Sequence, residues 1–447
     1  MTLKTKLVAG WKGVEMETVG NCLQKEVLIQ PRSHGVGCPS RGRRTSAGID
    51  LWMTLAAIAI AILLLIAATE ARAQTFTTLH NFGDGSDGGY PYAGLSMDRA
   101  GNLYGTASEG GNLNYCYQGG CGTVFRLERR SSGWIYSVLY AFTGSDGYYP
   151  EARVIIGPDG GLYGTTTQGG ASGAGVVFRL QPPATICKAV SCPWTETVLH
   201  SFTGGSDGGG PTYGDLTFDQ AGNIYGTTTT GGNTTCGGGY GCGVVFELAP
   251  SNGAWNETVL YTFQGGTDGS APYAGVIFDR SGNLYGTNGS GVVYELTPSA
   301  GGWLETTISN LQSSLQGGLI FDSAGNLYGA TIFNPVVYEL SPSSGGWTLQ
   351  TLYNFSNVYE GSFAQVTLDG AGNLYGTISF GPPEVFRLTK EAGQWTMTGF
   401  SGGDGETPYG NVILDASGNI YTTASFGESG SPGAGSRPAG TVFEITP

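Results

Sequence analysis

Tyrosine, aspartate and proline recur together at five places in this 447-residue chain, and these are the residues best suited to chemistry. Asp87-Gly88 leads to Pro91-Tyr92, and Asp146-Gly147 leads to Tyr149-Pro150. Asp207-Gly208 leads to Pro211-Thr212-Tyr213, Asp268-Gly269 to Pro272-Tyr273, and Asp404-Gly405 to Pro408-Tyr409. Phenol rings stack on sugar faces and carboxylates accept protons from hydroxyls, so the combination suits carbohydrate. The same residues also describe a plain Asp-Gly turn followed by a packed Tyr-Pro corner. Both readings stand at the level of the sequence.

Other chemistry is scarce. Beyond residue 73 the histidines are His80 and His200, at a recurrent position where Tyr140, Tyr261 and Tyr353 stand elsewhere. They read as strand residues, which leaves no Ser-His-Asp set to build. Paired carboxylates keep a lyase or glycoside-active chemistry open, yet no Asp or Glu pair stands out against the repeats. No cofactor is expected. Calcium is the one ion suggested by oxygen-rich segments such as Asp84-Gly85-Ser86-Asp87-Gly88, which is too short for an EF-hand loop.

The elements that must position these residues follow from a repeat. Gly-Asn-Leu-Tyr-Gly-Thr or a near variant occurs seven times, with its Tyr at 104, 163, 225, 285, 328, 375 and 421. The spacing runs from 43 residues (Tyr285 to Tyr328) to 62 (Tyr163 to Tyr225). Each repeat holds four strand-like runs, as in Asp215–Asp219, Asn223–Thr227, Val244–Leu248 and Thr258–Phe263. Such a period predicts an all-β, seven-bladed β-propeller of four-stranded blades. A lone fourth strand, Thr78–Phe82, precedes the first repeat, and the last repeat stops after a third strand at Ile445. The N-terminal strand is therefore expected to complete the last blade and close the ring. The third strands read Val-Phe-Arg-Leu or Val-Phe-Glu-Leu, and the charged position is expected to face solvent.

Strand order sorts the loops onto two faces. The blade-to-blade links with their Asp-Gly and Tyr share the top face with the loops joining second to third strands. Those loops are long in blades one, two, three and seven, for example Ala107–Gly122, Thr228–Gly243 and Thr423–Gly440. In blades four to six they shrink, as at Asn288-Gly289-Ser290. The long loops form a crescent, read either as a functional wall or as neutral loop drift.

Residues 51–68 are an uncharged apolar run, preceded by Arg41, Arg43 and Arg44 and followed by Ala71-Arg72-Ala73. This predicts a 1–73 export leader cleaved after Ala73, with an uncleaved membrane anchor as the alternative, and a propeller over 74–447. The protein is expected to be secreted, periplasmic or at the cell surface. Three close cysteine pairs, Cys116/Cys121, Cys187/Cys192 and Cys236/Cys242, then read as disulfides. A four-cysteine metal site fits poorly, because the spacings are not C-x-x-C and the pairs lie in separate repeats. The chain carries 20 Lys+Arg against 34 Asp+Glu. Residues 1–73 hold nine and five of these, leaving eleven against twenty-nine, or −18. That surface repels nucleic acid and anionic lipid, so membrane contact is expected only through an uncleaved 51–68 segment.

The string Asp-x-Ala/Ser-Gly-Asn-Leu-Tyr-Gly-Thr, then Gly-Gly, then Val-Phe-x-Leu, then Thr-x-Leu-Tyr-x-Phe resembles the GloVer tandem repeat of exported bacterial proteins called choice-of-anchor proteins. The resemblance spans about 76–446 and implies no established activity. Pro447 follows the last strand directly, so attachment through a C-terminal sorting segment is not expected. The Asp-x-x-Gly-Asn-Leu/Ile-Tyr turn is also similar to that of NHL-type, gluconolactonase-like and streptogramin-lyase propellers, where it is structural. The expectation is a monomeric binding or interaction module whose top face takes carbohydrate or an extracellular protein. A carboxylate-based enzyme in the central funnel and a purely structural surface protein are the alternatives.

Overall fold

Each repeat alternates apolar and polar residues, so its strands can bury their apolar faces only by pairing into a sheet that packs on a neighbour. The computed structural model describes residues 74–447 apart from 84, 117–118, 184–193, 356–364, 380–381, 383, 402–404 and 428–438. The leader, Cys187, Cys192 and Asp404 lie outside the described residues. Seven four-stranded antiparallel sheets form the seven blades of a propeller, with no α-helix among the described residues. Blade three shows the plan: Thr217–Phe218, Ile224–Thr228, Val244–Ser251 and Ala254–Thr262 pair in sequence order from the channel outward. In blade seven, Ile413–Leu414, Ile420–Ala424 and Thr441–Thr446 are completed by Thr75–Asn81, with Thr78 opposite Phe443. The ring closes as the sequence predicts.

The repeated motif has a physical reason at each position. Its Asp, at 98, 219, 279, 322, 369 and 415, caps the hairpin between first and second strands. Asp98 accepts from the N–H groups of Ala100 and Asn102, from the Asn102 amide and from the Tyr104 hydroxyl. The motif's first Gly, such as Gly101 at φ 82°, supplies the left-handed turn that a side chain would strain. Its second Gly lies under the aromatic of the third strand: a Cβ at Gly105 would strike the Phe125 ring, and one at Gly286 the Tyr294 ring. The closing Thr ties one blade to the next, since the hydroxyls of Thr106, Thr227 and Thr287 donate to the carbonyls of Ala152, Ala274 and Gly317. Blade five has Ala330 there, and the Gln365 side chain of blade six donates instead to the Leu319 carbonyl.

The core lies between blades. Tyr104, Leu139 and Phe142 of blade one pack on Val154, Leu162 and Phe178 of blade two, and the pattern repeats around the ring. Outer-strand tryptophans cross the same seams, Trp134 against Tyr421, Trp194 against Tyr104 and Trp347 against Tyr285.

One expectation is corrected. The charged position of the third strand does not simply face solvent. Glu247, Glu295 and Glu444 accept a hydrogen bond from the motif tyrosine opposite, at 3.0, 2.8 and 2.8 Å, and Glu339 is only 8% exposed. Strand pairing places this residue across from the tyrosine, and the phenol draws the carboxylate inward.

Candidate functional site: the mouth of the central funnel

Inner strands set the site. Each is immediately preceded by a buried aliphatic residue: Leu95, Val154, Leu216, Val276, Leu319, Val366 or Val412. Residues one and three positions before it share the opposite face, because side chains alternate along an extended chain. Three positions before stand Tyr92, Glu151, Tyr213, Tyr273, Gln316 and Tyr409; one position before stand Gly94, Arg153, Asp215, Gly275, Gly318, Gln365 and Asn411. With Tyr273 excepted, these residues line one cavity of about 190 Å3 at the mouth of the channel.

Tyr92 and Tyr409 approach with ring centroids 5.5 Å apart, and Tyr213 and Tyr273 at 6.3 Å. Tyr273 itself leans over Gly289, where a Cβ would collide with its ring. Between the two tyrosine pairs, in ring order, stands Glu151 of blade two. Its Oε2 accepts the Thr167 hydroxyl at 2.8 Å. Burial pushes the Glu151 carboxyl above its ordinary value, and the Thr167 bond opposes the shift only in part. Burial likewise pushes the Tyr92 phenol up to about 12, with help from Glu151, then Tyr409 and others. Burial raises Tyr213 too, followed by Glu151, Tyr92, Tyr409 and Tyr273. These mutual influences mark one convergent cluster. Beside it, Arg153 donates from Nε at 3.0 Å and from Nη2 at 2.6 Å to Asp215 Oδ2.

The structure thus gathers four of the five tyrosines singled out in the sequence. Tyr149 stands apart: it has φ 58° and stacks on Tyr148 at 3.8 Å, while Glu151 takes the equivalent place at the mouth. The loop aspartates also point elsewhere. Asp146 accepts from the Tyr140 hydroxyl at 2.5 Å and the Thr143 N–H at 2.8 Å. Asp268 accepts from the Tyr261 hydroxyl and the Gln264 and Gly266 N–H groups, and is 6% exposed. Asp87 binds the Gly83 N–H and lies 3.4 Å from His80; Asp207 binds the Thr203 N–H and lies 3.5 Å from His200. These carboxylates tie each link to the outer strand behind it. Among the described residues no group of three His, Cys, Asp or Glu side chains could hold a metal ion.

Sequence reasoning missed Glu151, Arg153, Asp215, Gln316, Gln365 and Asn411. It held that no acid pair breaks the repeats, whereas Glu151 and Asp215 do so within one cavity. Aligning the repeats on the buried aliphatic, rather than on the recurrent tyrosine, would have exposed them as the departures from Tyr and Gly.

The long loops pair with the links as strand order requires, through bridges of Gly89 with Glu109, Tyr148 with Gln168 and Gly209 with Thr230. In blade seven the ribbon Gly405–Glu406 with Phe426–Gly427 does the same. Cys116 is bonded to Cys121 and Cys236 to Cys242, both in loops of this crescent.

Seven four-stranded blades around a polar, tyrosine-rimmed funnel define a seven-bladed β-propeller. The chain belongs to the Gloeobacter/Verrucomicrobia repeat family, whose pattern it matches over residues 67–288 and 185–381. No curated protein sequence matches it. Among solved structures it is similar to the WD40 β-propeller domain of Doa1, with TM-score 0.51 and 11% identity over 83% of this chain and 95% of that one. A looser likeness is to the gluconolactonase XC5397 of Xanthomonas campestris, with TM-score 0.40 and 12% identity over 84% and 90%. At these identities the first likeness shows the fold alone, and the second carries no argument about chemistry.

Proposed function

We propose that this protein is exported and binds carbohydrate at the mouth of its central funnel. The observation that carries this reading is the meeting of Tyr92, Tyr213 and Tyr409 with Glu151, Gln316 and Asn411 around one cavity. Aromatic faces cover the apolar faces of a sugar ring, and the amides and carboxylate bind its hydroxyls. The cavity of about 190 Å3 has room for several water molecules, which a ligand's hydroxyls would replace. Export is supported by the apolar run and cleavage signal at 51–73 and by the two loop disulfides. Among the described residues no helix is long and apolar enough to cross a membrane.

A second reading has its own observation. Glu151, with its raised pKa, shares the cavity with the ion-paired Asp215, and two carboxylates in unlike surroundings are the basis of glycoside-active sites. One experiment separates the readings. Purified protein is titrated by calorimetry with a panel of oligosaccharides, and each mixture is then analysed for shortened products. Saturable binding weakened about tenfold by Tyr92→Ala, Tyr213→Ala or Tyr409→Ala, with the sugar unchanged, is the expected result. Cleavage abolished by Glu151→Gln would establish the enzyme instead, and no binding to any glycan would overturn both.

A further inference from the structure

We infer that the funnel selects a sugar carrying a protonated amine, a 2-amino-2-deoxy hexose unit, over neutral and acidic sugars. This rests on the carbohydrate reading and specifies its ligand. The argument begins with charge inside the cavity. Glu151 is half-buried, and its described partner is the neutral hydroxyl of Thr167. Among the described residues no cation is paired with it. Arg153, the cationic side chain of the lining, gives two N–H bonds to Asp215. That pair is locally neutral, so Glu151 carries the unbalanced charge of the site. A carboxylate withdrawn from water without a cation is costly, and an incoming ammonium removes that cost by forming a charge-assisted hydrogen bond.

The tyrosines act in the same direction. Tyr92 with Tyr409, and Tyr213 with Tyr273, flank Glu151 on its two sides of the ring. The face of an aromatic ring carries negative charge density and attracts an ammonium held within about 6 Å. Phenol rings beside one carboxylate that lacks a cation favour a cationic ligand, and the same rings serve as sugar platforms. The wider field agrees, because the whole chain has a net charge of −14 and draws cations toward its clefts. Uronic acids meet the opposite situation, because the unbalanced charge of the lining, on Glu151, has the same sign as their own. An N-acetylated hexosamine loses the charge that Glu151 would pair with. Gln316 and Asn411 remain to bind hydroxyls in either case.

The test changes the ligand before it changes the protein. Protein purified from an export-competent host is titrated calorimetrically with a glucosamine oligomer, its N-acetylated counterpart, a glucose oligomer and a galacturonate oligomer, at low and moderate salt. The expected result is binding of the glucosamine oligomer at least tenfold tighter than the glucose and N-acetyl oligomers, weakening with salt, and no detectable binding of galacturonate. Glu151→Gln should abolish the preference, bringing the affinity for the glucosamine oligomer down to that for the glucose oligomer, with an unchanged melting temperature as the check on folding. Equal affinity for amine and neutral sugars, or a preference that survives Glu151→Gln, would overturn the inference and leave the carbohydrate reading standing. Binding of tetramethylammonium or ethanolamine with no sugar bound would overturn the carbohydrate reading and, with it, the hexosamine.

Discussion

Two glutamates outside the funnel are placed against their own charge. Glu196 and Glu257 are half-buried on the outer strands of blades two and three, each with an Oε1 that lacks a hydrogen-bond partner. Burial first, and then the negative charge of Asp146 or Asp207, pushes both carboxyls up to about 7. A carboxyl whose folded pKa exceeds its unfolded value near 4.5 holds more protons in the folded state. Stability therefore falls as pH rises from about 4.5 to about 7, and stays low above that. Glu196→Gln and Glu257→Gln should each raise the urea midpoint at pH 8 and leave it nearly unchanged at pH 5. The gain should be on the order of 1 kcal/mol each, once solvent screening of half-buried groups is allowed for. An unchanged midpoint at pH 8 would show that these carboxyls ionise freely. Neither glutamate was legible in the sequence, where each sits in an ordinary alternating strand. Their chemistry depends on the aspartate that the preceding blade-to-blade link brings beside them.

At the scale of the element, the hairpin between first and second strands was legible because its chemistry is local. Asp, Gly, Asn and Tyr fall within seven residues, and the structure joins them by the short bonds the turn needs. In blade five, Asp322 accepts the Ala324 N–H at 2.8 Å, the Asn326 N–H at 2.9 Å, the Asn326 amide at 2.8 Å and the Tyr328 hydroxyl at 3.1 Å. Burial acts to raise its carboxyl, but these bonds outweigh it and hold the carboxyl below its ordinary value. Its contribution is present above the unfolded value near 3.8 and is lost as pH falls through the lower folded value. Asp322→Ala strands four donors, and should cost about 2 kcal/mol in denaturant unfolding at pH 7. Asp322→Asn keeps an acceptor and should recover part of that loss. The funnel was less legible for the opposite reason. Glu151 and Arg153 of blade two, Asp215 of blade three and Asn411 of blade seven come from three different repeats, and each looks like noise within its own. They become a site only when seven inner strands are brought to one axis.

The whole molecule depends on a single seam that joins its two ends. Six blades are made from contiguous chain, but blade seven takes its outer strand from Thr75–Asn81, whose partner Thr441–Thr446 lies at the far end of the sequence. Phe82 and Leu79 belong to the cluster shared with Phe125, Tyr421 and Val442, and Phe76 packs against Phe443 and Ile445. Removing residues 74–82 would strip those apolar faces and leave Thr441–Thr446 as an exposed hydrophobic edge ready to pair with another chain. The expected result is loss of the single cooperative unfolding transition and the appearance of oligomers in size-exclusion chromatography. Reducing Cys116–Cys121 and Cys236–Cys242 makes the contrasting case. They close loops of sequence separation five and six, so each constrains the unfolded chain by only about 2 kcal/mol. A reduced protein should keep its circular-dichroism spectrum and unfold cooperatively at a lower denaturant midpoint, whereas the truncated one should do neither. If the truncated chain stayed monomeric and cooperative, the inter-blade cores and threonine ties would be sufficient to hold the ring without its closing strand.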